Sequence, residues 1–274
     1  MPDRYALVGD PISTSPSPAM HNAGFRARGI DASYELRPTT PNTLAPLRRE
    51  LAQRAWAGLN VTTPLKTLLT TDAELSPIAR RAGAVNTLIR APSGYRGELT
   101  DVAGVAEPLR AHGYAGGGEA LILGAGGAAR AAALALESLD CRLHIAARRI
   151  EQATALAREL ALAPATAVLA LDDTAALALA LARVDVIVQA TPVGRQGDAH
   201  ALPWGHATHA LVAFEMLYRP RVTPFVQQAQ SAGHEIVFGW EMLLSQGLAS
   251  FALWCAEPVP RDEMRAALLH ALPA

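Results

Sequence analysis

The chain has 274 residues, half of them hydrophobic, with 24 basic and 25 acidic side chains and a formal net charge of −1. That length suits two domains of about 100–150 residues each, and the balanced charge lacks the basic surplus of a nucleic-acid binder, so a small-molecule ligand is expected. No apolar run reaches the roughly 18 residues of a membrane span, because Asp172 and Asp173 interrupt the Ala/Leu-rich stretch that comes nearest. The opening MPDRYALVGDP holds too short an apolar run for a secretion signal, which makes the cytoplasm the expected location. Cys141 and Cys255 lie far apart with no CxxC or ligand spacing, so both are read as packing residues.

Residues 1–100 alternate short β-branched and helical segments. YALVG is followed by a helix with Ser17 as N-cap and Pro18 at its first position, then YELRP, a helix near residues 43–55, and GLNVT, a βαβαβ pattern. Beyond Lys66 comes a short helical stretch, then AVNTLIR and GYRGEL flanking Pro92, Ser93 and Gly94, which read as a hairpin. A glycine-rich tract from Gly113 to Gly118 leads into a second alternating unit, with strands at ALIL, RLHIAA, a weak one at 166–171, VDVIVQA and ALVAF. The last third returns to helix: EMLLSQGLASFALW has helical apolar spacing, and Pro258 and Pro260 end it. The expected fold is α/β, with no fixed-period repeat.

Lysine is rare to an unusual degree: of the 24 basic residues, Lys66 is the one lysine and the rest are arginine. Arginine stays charged at any accessible pH, whereas a lysine can exchange its proton, so Lys66 is a candidate acid/base; the other reading is a codon bias that one lysine escaped. The segment ALILGAGGAARAAALAL is a strand running into Gly124, Gly126 and Ala129 and then a helix, the strand–turn–helix setting that a GxGxxG/A pattern needs to hold a dinucleotide pyrophosphate. Gly124, Ala125, Gly126, Gly127 and Ala128 form that loop. Where an NAD unit carries an acid at the end of the next strand, this chain has Ala146, Ala147, Arg148 and Arg149. A small residue followed by two guanidinium groups suits a 2′-phosphate, so NADP is the expected cofactor. His200, His206 and His209 lack a carboxylate or cysteine at ligand spacing and are read as loop histidines rather than a metal site.

GDPISTSPSPAMHN, GLNVTTPLK, AGAVNT, the Thr-Asp of GELTDVAG, LGAGGAAR, TPF and EMLLSQ follow one another in the order and comparable spacing of the shikimate dehydrogenase motifs. Over nearly its whole length the chain resembles that family. The resemblance implies an N-terminal α/β substrate domain over residues 1–101, a Rossmann-type NADP-binding domain over 102–237, and C-terminal helices, 238–274, returning to the substrate domain. It implies NADP-dependent interconversion of shikimate and 3-dehydroshikimate, with Lys66 as catalytic lysine and Asp101 as its partner carboxylate. Substrate contacts carried over in the same way are Ser15, Ser17, Asn60, Thr62, Asn86, Asp101, Tyr218 and Gln246. Thr191, Met216 and Gly239 would lie near the nicotinamide, in addition to the glycine loop, Arg148 and Arg149. The protein would act as a monomer or homodimer on a small polyhydroxylated acid, without nucleic acid or membrane.

Several positions depart from the family pattern: Thr14, Leu99, Val102, Ala147, Arg149, Phe238 and Glu241. They leave open a paralogue acting on quinate or a related hydroxy acid. A quinate/shikimate enzyme using NAD would carry an acid near Ala147, and a non-catalytic NADP-binding module would have no need of Lys66 and Asp101.

Overall fold

The computed structural model describes residues 2–256 and 258–272. The chain divides into two compact units, one running through Thr100 and resuming at Gln246, the other spanning Asp101–Ser245.

The first unit contains β1 (Asp3–Gly9), α1 (Ser17–Ala27), β2 (Ala32–Pro38), α2 (Leu44–Ala52), β3 (Gly58–Val61), β4 (Glu74–Leu75), α3 (Pro77–Ala82), β5 (Thr87–Arg90) and β6 (Tyr95–Glu98). Its sheet order is β2-β1-β3-β5-β6-β4. β1 pairs in parallel with β2 and β3, and β5 lies antiparallel to both β3 and β6, so the residues after Lys66 form the expected hairpin. Strand β3 is buried along its whole length, with Leu59 and Val61 at 2% exposure or less; each such aliphatic side chain adds about 1.5–3 kcal/mol of burial free energy. This places the ends of β3 and β5, with Asn60 and Asn86, inside the unit.

The second unit contains α4 (Asp101–Ala111), β7 (Glu119–Leu123), α5 (Gly127–Glu137), β8 (Arg142–Ala147), α6 (Ile150–Glu159), β9 (Ala167–Ala170), α7 (Thr174–Leu181), β10 (Val186–Gln189), β11 (Val212–Glu215), α8 (Pro224–Ser231) and β12 (Glu235–Val237). All its strands are parallel, in the order β12-β11-β10-β7-β8-β9. Counted from β7, that is the 3-2-1-4-5-6 order of a doubly wound dinucleotide fold, with its switch point between β7 and β10. A parallel sheet covered on both faces needs continuous apolar strands, and β10 is buried throughout while β9, at the edge, is half-exposed throughout. Leu121, Leu123, Ile187 and Ala213 pack with Phe225 and Val226 of α8 and Ile236 of β12 in one core. Helix α9 (Gly239–Cys255) starts in this unit and ends in the first, where α10 (Arg261–Ala271) packs on α1.

Three expectations need correction. Ser17 is the first residue of α1, not its N-cap; Pro16 takes the cap position without a side-chain hydrogen bond, and Pro18 falls one residue inside. The return to helix after ALVAF is interrupted, because Glu235–Val237 adds β12 beside β11. The helix near residues 43–55 is shorter, a 3-10 turn at Pro41–Thr43 leading into α2. No helix among the described residues is long and apolar enough to cross a membrane.

Candidate active site

In the first unit the ends of β3, β5 and β6 meet one turn of α9 in a buried polar network. Asn60 is 5% exposed. Its amide nitrogen lies 2.9 Å from Ser250 Oγ, 3.2 Å from Thr87 Oγ1 and 3.3 Å from the Asn86 carbonyl, and its oxygen accepts from the Tyr34 hydroxyl at 2.8 Å. Asn86 Oδ1 accepts from Thr100 N–H at 2.6 Å, while Asn86 Nδ2 donates to Thr100 Oγ1 at 2.9 Å and faces Gln246 Oε1 at 3.5 Å. Burying so many polar atoms is costly unless they satisfy one another, and here they do. The structure thus brings together Asn60, Asn86 and Gln246, three of the residues singled out from the sequence.

Ser15 and Ser17 lie next to each other at the start of α1, with Ser15 Oγ donating to Ser17 Oγ at 3.1 Å. Ser17 is buried and Ser15 half-buried. Thr62 and Lys66, both half-buried, flank a short turn after β3, in which Leu65 N–H donates to the Thr62 carbonyl at 2.9 Å. The Lys66 carbonyl accepts from Val85 N–H at 2.9 Å, which ties this turn to the segment preceding Asn86. Asp101 is 4% exposed and opens α4, directly after Thr100. As an acid in a first turn it also complements the helix dipole.

In the second unit the glycine turn stands at the switch point. Gly124 has φ +113°, and a Cβ there would lie 3.0 Å from Thr191 Cγ2 and 3.1 Å from the Ala190 carbonyl oxygen, so only glycine lets β7 and β10 run this close. Gly126 and Gly127 face open space where a Cβ would sit, and Gly126 caps α5 without a side chain. The exposed first-turn amides of this 11-residue helix form an anion cradle. Ala125 and Ala128 are half-buried beside it, and Ala129 is fully buried where α5 packs on the sheet. Past the end of β8, Ala147 is buried while Arg148 and Arg149 are both exposed. These residues fit a dinucleotide that carries a 2′-phosphate.

The turns after β10 and β11 complete this end of the unit. Gln189, 1% exposed, accepts from the Thr191 amide and hydroxyl at 3.0 Å each and donates to the Val193 carbonyl at 2.8 Å. Met216 is buried and Tyr218 half-buried on the turn after β11, and a Cβ on Gly239 would strike the Leu217 carbonyl and lie 2.7 Å from Tyr218 N. Glu215, fully buried, accepts from Leu217 N–H at 2.8 Å and from the Thr223 hydroxyl at 2.6 Å. Burial pushes its carboxyl up to about 7 despite those donors. Glu241 accepts from Phe238 N–H at 2.9 Å and pairs with His112 at 2.8 Å.

His200 hydrogen-bonds Thr191 and His209 hydrogen-bonds Thr208 and Asp185. No group of three or more His, Cys, Asp or Glu side chains placed to hold a metal occurs among the described residues. Sequence reasoning passed over Thr87, Ser250, Tyr34, Gln189 and Glu215. It also passed over His21, which stacks on Tyr34 at 4.4 Å and is kept neutral by burial, its pKa pushed down to about 3. The signal for Thr87 was present in the AVNT motif; the others take their meaning from distant partners.

Comparison with known proteins bears on the whole chain. The family model for the shikimate dehydrogenase substrate binding domain matches residues 7–88, that for shikimate / quinate 5-dehydrogenase matches 110–195, and that for the shikimate 5′-dehydrogenase C-terminal domain matches 239–269. The shikimate dehydrogenase (NADP(+)) of Natronomonas pharaonis is 36% identical over 272 residues, covering 98% of this chain and 100% of its own. Shikimate 5-dehydrogenase from Thermus thermophilus, solved with NADP(H) and shikimate, is 35% identical with a TM-score of 0.88, covering 98% of this chain and 100% of that one. Quinate dehydrogenase from Corynebacterium glutamicum, solved with NAD, also has a TM-score of 0.88, at 25% identity over 98% of this chain and 99% of that one. With the doubly wound unit, its glycine turn and the polar network already in place, these likenesses make the chain a member of the shikimate dehydrogenase family.

Proposed function

We propose that this protein is an NADP-dependent shikimate dehydrogenase, interconverting shikimate and 3-dehydroshikimate. The observation that carries the reading is the pairing, at the ends of β7 and β8, of an open glycine cradle with two exposed arginines and a buried alanine where an NAD unit would hold an acid. Its relative from N. pharaonis bears the NADP designation, in agreement.

Bound NADP supplies the hydride acceptor for the alcohol carbon. The amides of Gly126 and Gly127 at the start of α5 hold the pyrophosphate, and Arg148 and Arg149 hold the 2′-phosphate. Thr191, Met216 and Gly239 frame the nicotinamide end. On the substrate side the hydroxyl proton has to leave as the carbon is oxidised, and Lys66, the one lysine in the chain, takes it at Nζ. Asp101 accepts hydrogen bonds from the ring hydroxyls. Ser15, Ser17, Asn60, Thr62, Asn86, Tyr218 and Gln246 contribute neutral donors and acceptors. A ring with three hydroxyls and a carboxylate needs such groups, and a site built from them rejects analogues that leave them unpaired. We place the reaction in the cytoplasm, among other small-molecule conversions that use NADP.

The test is absorbance at the reduced-nicotinamide band with purified protein given shikimate or quinate, each with NADP or NAD. Reduction with shikimate and NADP well above the other pairings is the expected result. Reduction with quinate alone would move the enzyme to that substrate, and none in any pairing would overturn the reading.

A further inference from the structure

Ser250 lies on α9 one turn beyond Gln246, is fully buried, and stands where Asn60, Thr87 and Thr100 converge. Its hydroxyl has a single proton, and that proton goes to the Gln246 carbonyl at 2.9 Å. Ser250 Oγ is therefore an acceptor toward its other neighbours. It takes one bond from Asn60 Nδ2 and one from Thr87, which at 2.9 Å is closer than Thr100 at 3.1 Å.

With the Ser250 proton on that carbonyl, Thr87 is the donor in the 2.9 Å contact, and its oxygen accepts from Asn60 Nδ2 at 3.2 Å and lies 3.1 Å from the Thr100 hydroxyl, which also has Asn86 Oδ1 within reach as an acceptor at 3.2 Å. The Thr100 oxygen in turn accepts from Asn86 Nδ2 at 2.9 Å, while Asn86 Oδ1 is held by Thr100 N–H at 2.6 Å. We propose that Ser250 is a positioning residue for the substrate site: its hydroxyl sets the direction of the hydrogen bonds running through Thr87 and Thr100, and so fixes which way the Asn86 amide points. This rests on the reading above, in which Asn86 and Gln246 serve a polyhydroxylated acid. Without the Ser250 oxygen, Thr87 turns to its other acceptor, Asn86 Oδ1 at 3.3 Å, where it competes with the bond that orients the amide. Ser250 has no need to touch substrate to do this.

The experiment is steady-state kinetics of the full chain, varying shikimate and NADP separately, for wild type, Ser250→Ala, Thr87→Val and the double variant. Ser250→Cys serves as a second probe that fills the site with a slightly larger side chain while weakening the acceptor. KM for shikimate is expected to rise about 3- to 10-fold in each single variant, with kcat and KM for NADP within about 2-fold of wild type. Residues joined in one network show non-additive effects, so the double variant should be no worse than the poorer single variant. A packing role alone would lower the active fraction, and thus apparent kcat, and leave KM untouched; that result overturns the proposal. So does a double variant whose KM change is the product of the two singles. Failure of the wild type to oxidise shikimate would remove the functional reading and this assignment together, whereas an active wild type with unaltered variants would remove the assignment alone.

Discussion

Glu215 offers a thermodynamic test that does not depend on the substrate. It ends β11 with no solvent exposure, and burial lifts its pKa from 4.5 to about 7 although Thr223 and the Leu217 and Met216 amides favour the carboxylate. Between those two values the folded chain keeps a proton that the unfolded chain has released. Stability from this group is therefore fully present below pH 4.5 and lost as pH rises through about 7. Integrated from pH 5 to pH 8, the loss comes to roughly 2–3 kcal/mol. Replacing Glu215 by glutamine gives a side chain of the same shape that does not titrate, at a cost of about 1 kcal/mol for a less well matched partner to Leu217 and Thr223. Urea unfolding of wild type and Glu215→Gln at pH 5, 6, 7 and 8 measures the difference directly, and most other titrating groups cancel in it. The variant should be somewhat less stable at pH 5 and should gain roughly 2–3 kcal/mol on wild type by pH 8. A difference that stays constant over that range, or runs the other way, refutes the buried-carboxyl argument.

Replacing Lys66 by alanine should reduce kcat by about 10²- to 10⁴-fold while NADP still binds with its wild-type affinity by fluorescence titration; near-normal turnover would remove Lys66 from the proton path. Arg148→Ala should weaken NADP about 10-fold and leave NAD unaffected, since NAD has no 2′-phosphate, and an equal loss for both would rule out that contact. Gly124→Ala must carry a Cβ at φ +113°, 3.0 Å from Thr191 Cγ2. Strain and overlap together should lower unfolding free energy by about 2–4 kcal/mol, read by denaturant melts, and an unchanged midpoint would show that the β7–β10 approach is not tight.

How far the sequence disclosed this structure depended on how far apart the interacting residues lie. The turn at Gly124 was legible because a strand, a glycine and a helix follow one another within a few residues, and the backbone itself requires the glycine. The hairpin of β5 and β6 was legible for the same reason, with its turn residues between two β-rich runs. β12 was not, because a three-residue strand between His234 and Phe238 has too few alternations to stand out from the helical apolar pattern that follows. Ser250 carried no signal at all: its partners Asn60 and Thr87 lie 190 and 163 residues away, and a serine on a helix is ordinarily a surface residue. Glu215 was likewise passed over, since nothing local announces that Thr223, eight residues later, returns to share its burial.

The positions that depart from the family pattern gain meaning from the same distinction. Leu99 is 5% exposed and belongs to the apolar core. Glu241 is engaged within its own unit, holding Phe238 N–H and His112, and the two carboxylates around His112 raise its pKa against the opposing effect of burial. Arg149 keeps a cation next to Arg148, at the exposed start of α6. Leu99, Glu241 and Arg149 are thus accommodated by packing, by partners within the unit and by an exposed helix start. Asn60, Asn86 and Gln246, in contrast, keep the side-chain types the network demands. On the function proposed above, selection between one ring acid and another falls to these amides and to the hydroxyls of Thr87, Thr100 and Ser250 beside them, because a buried donor left without its acceptor is costly.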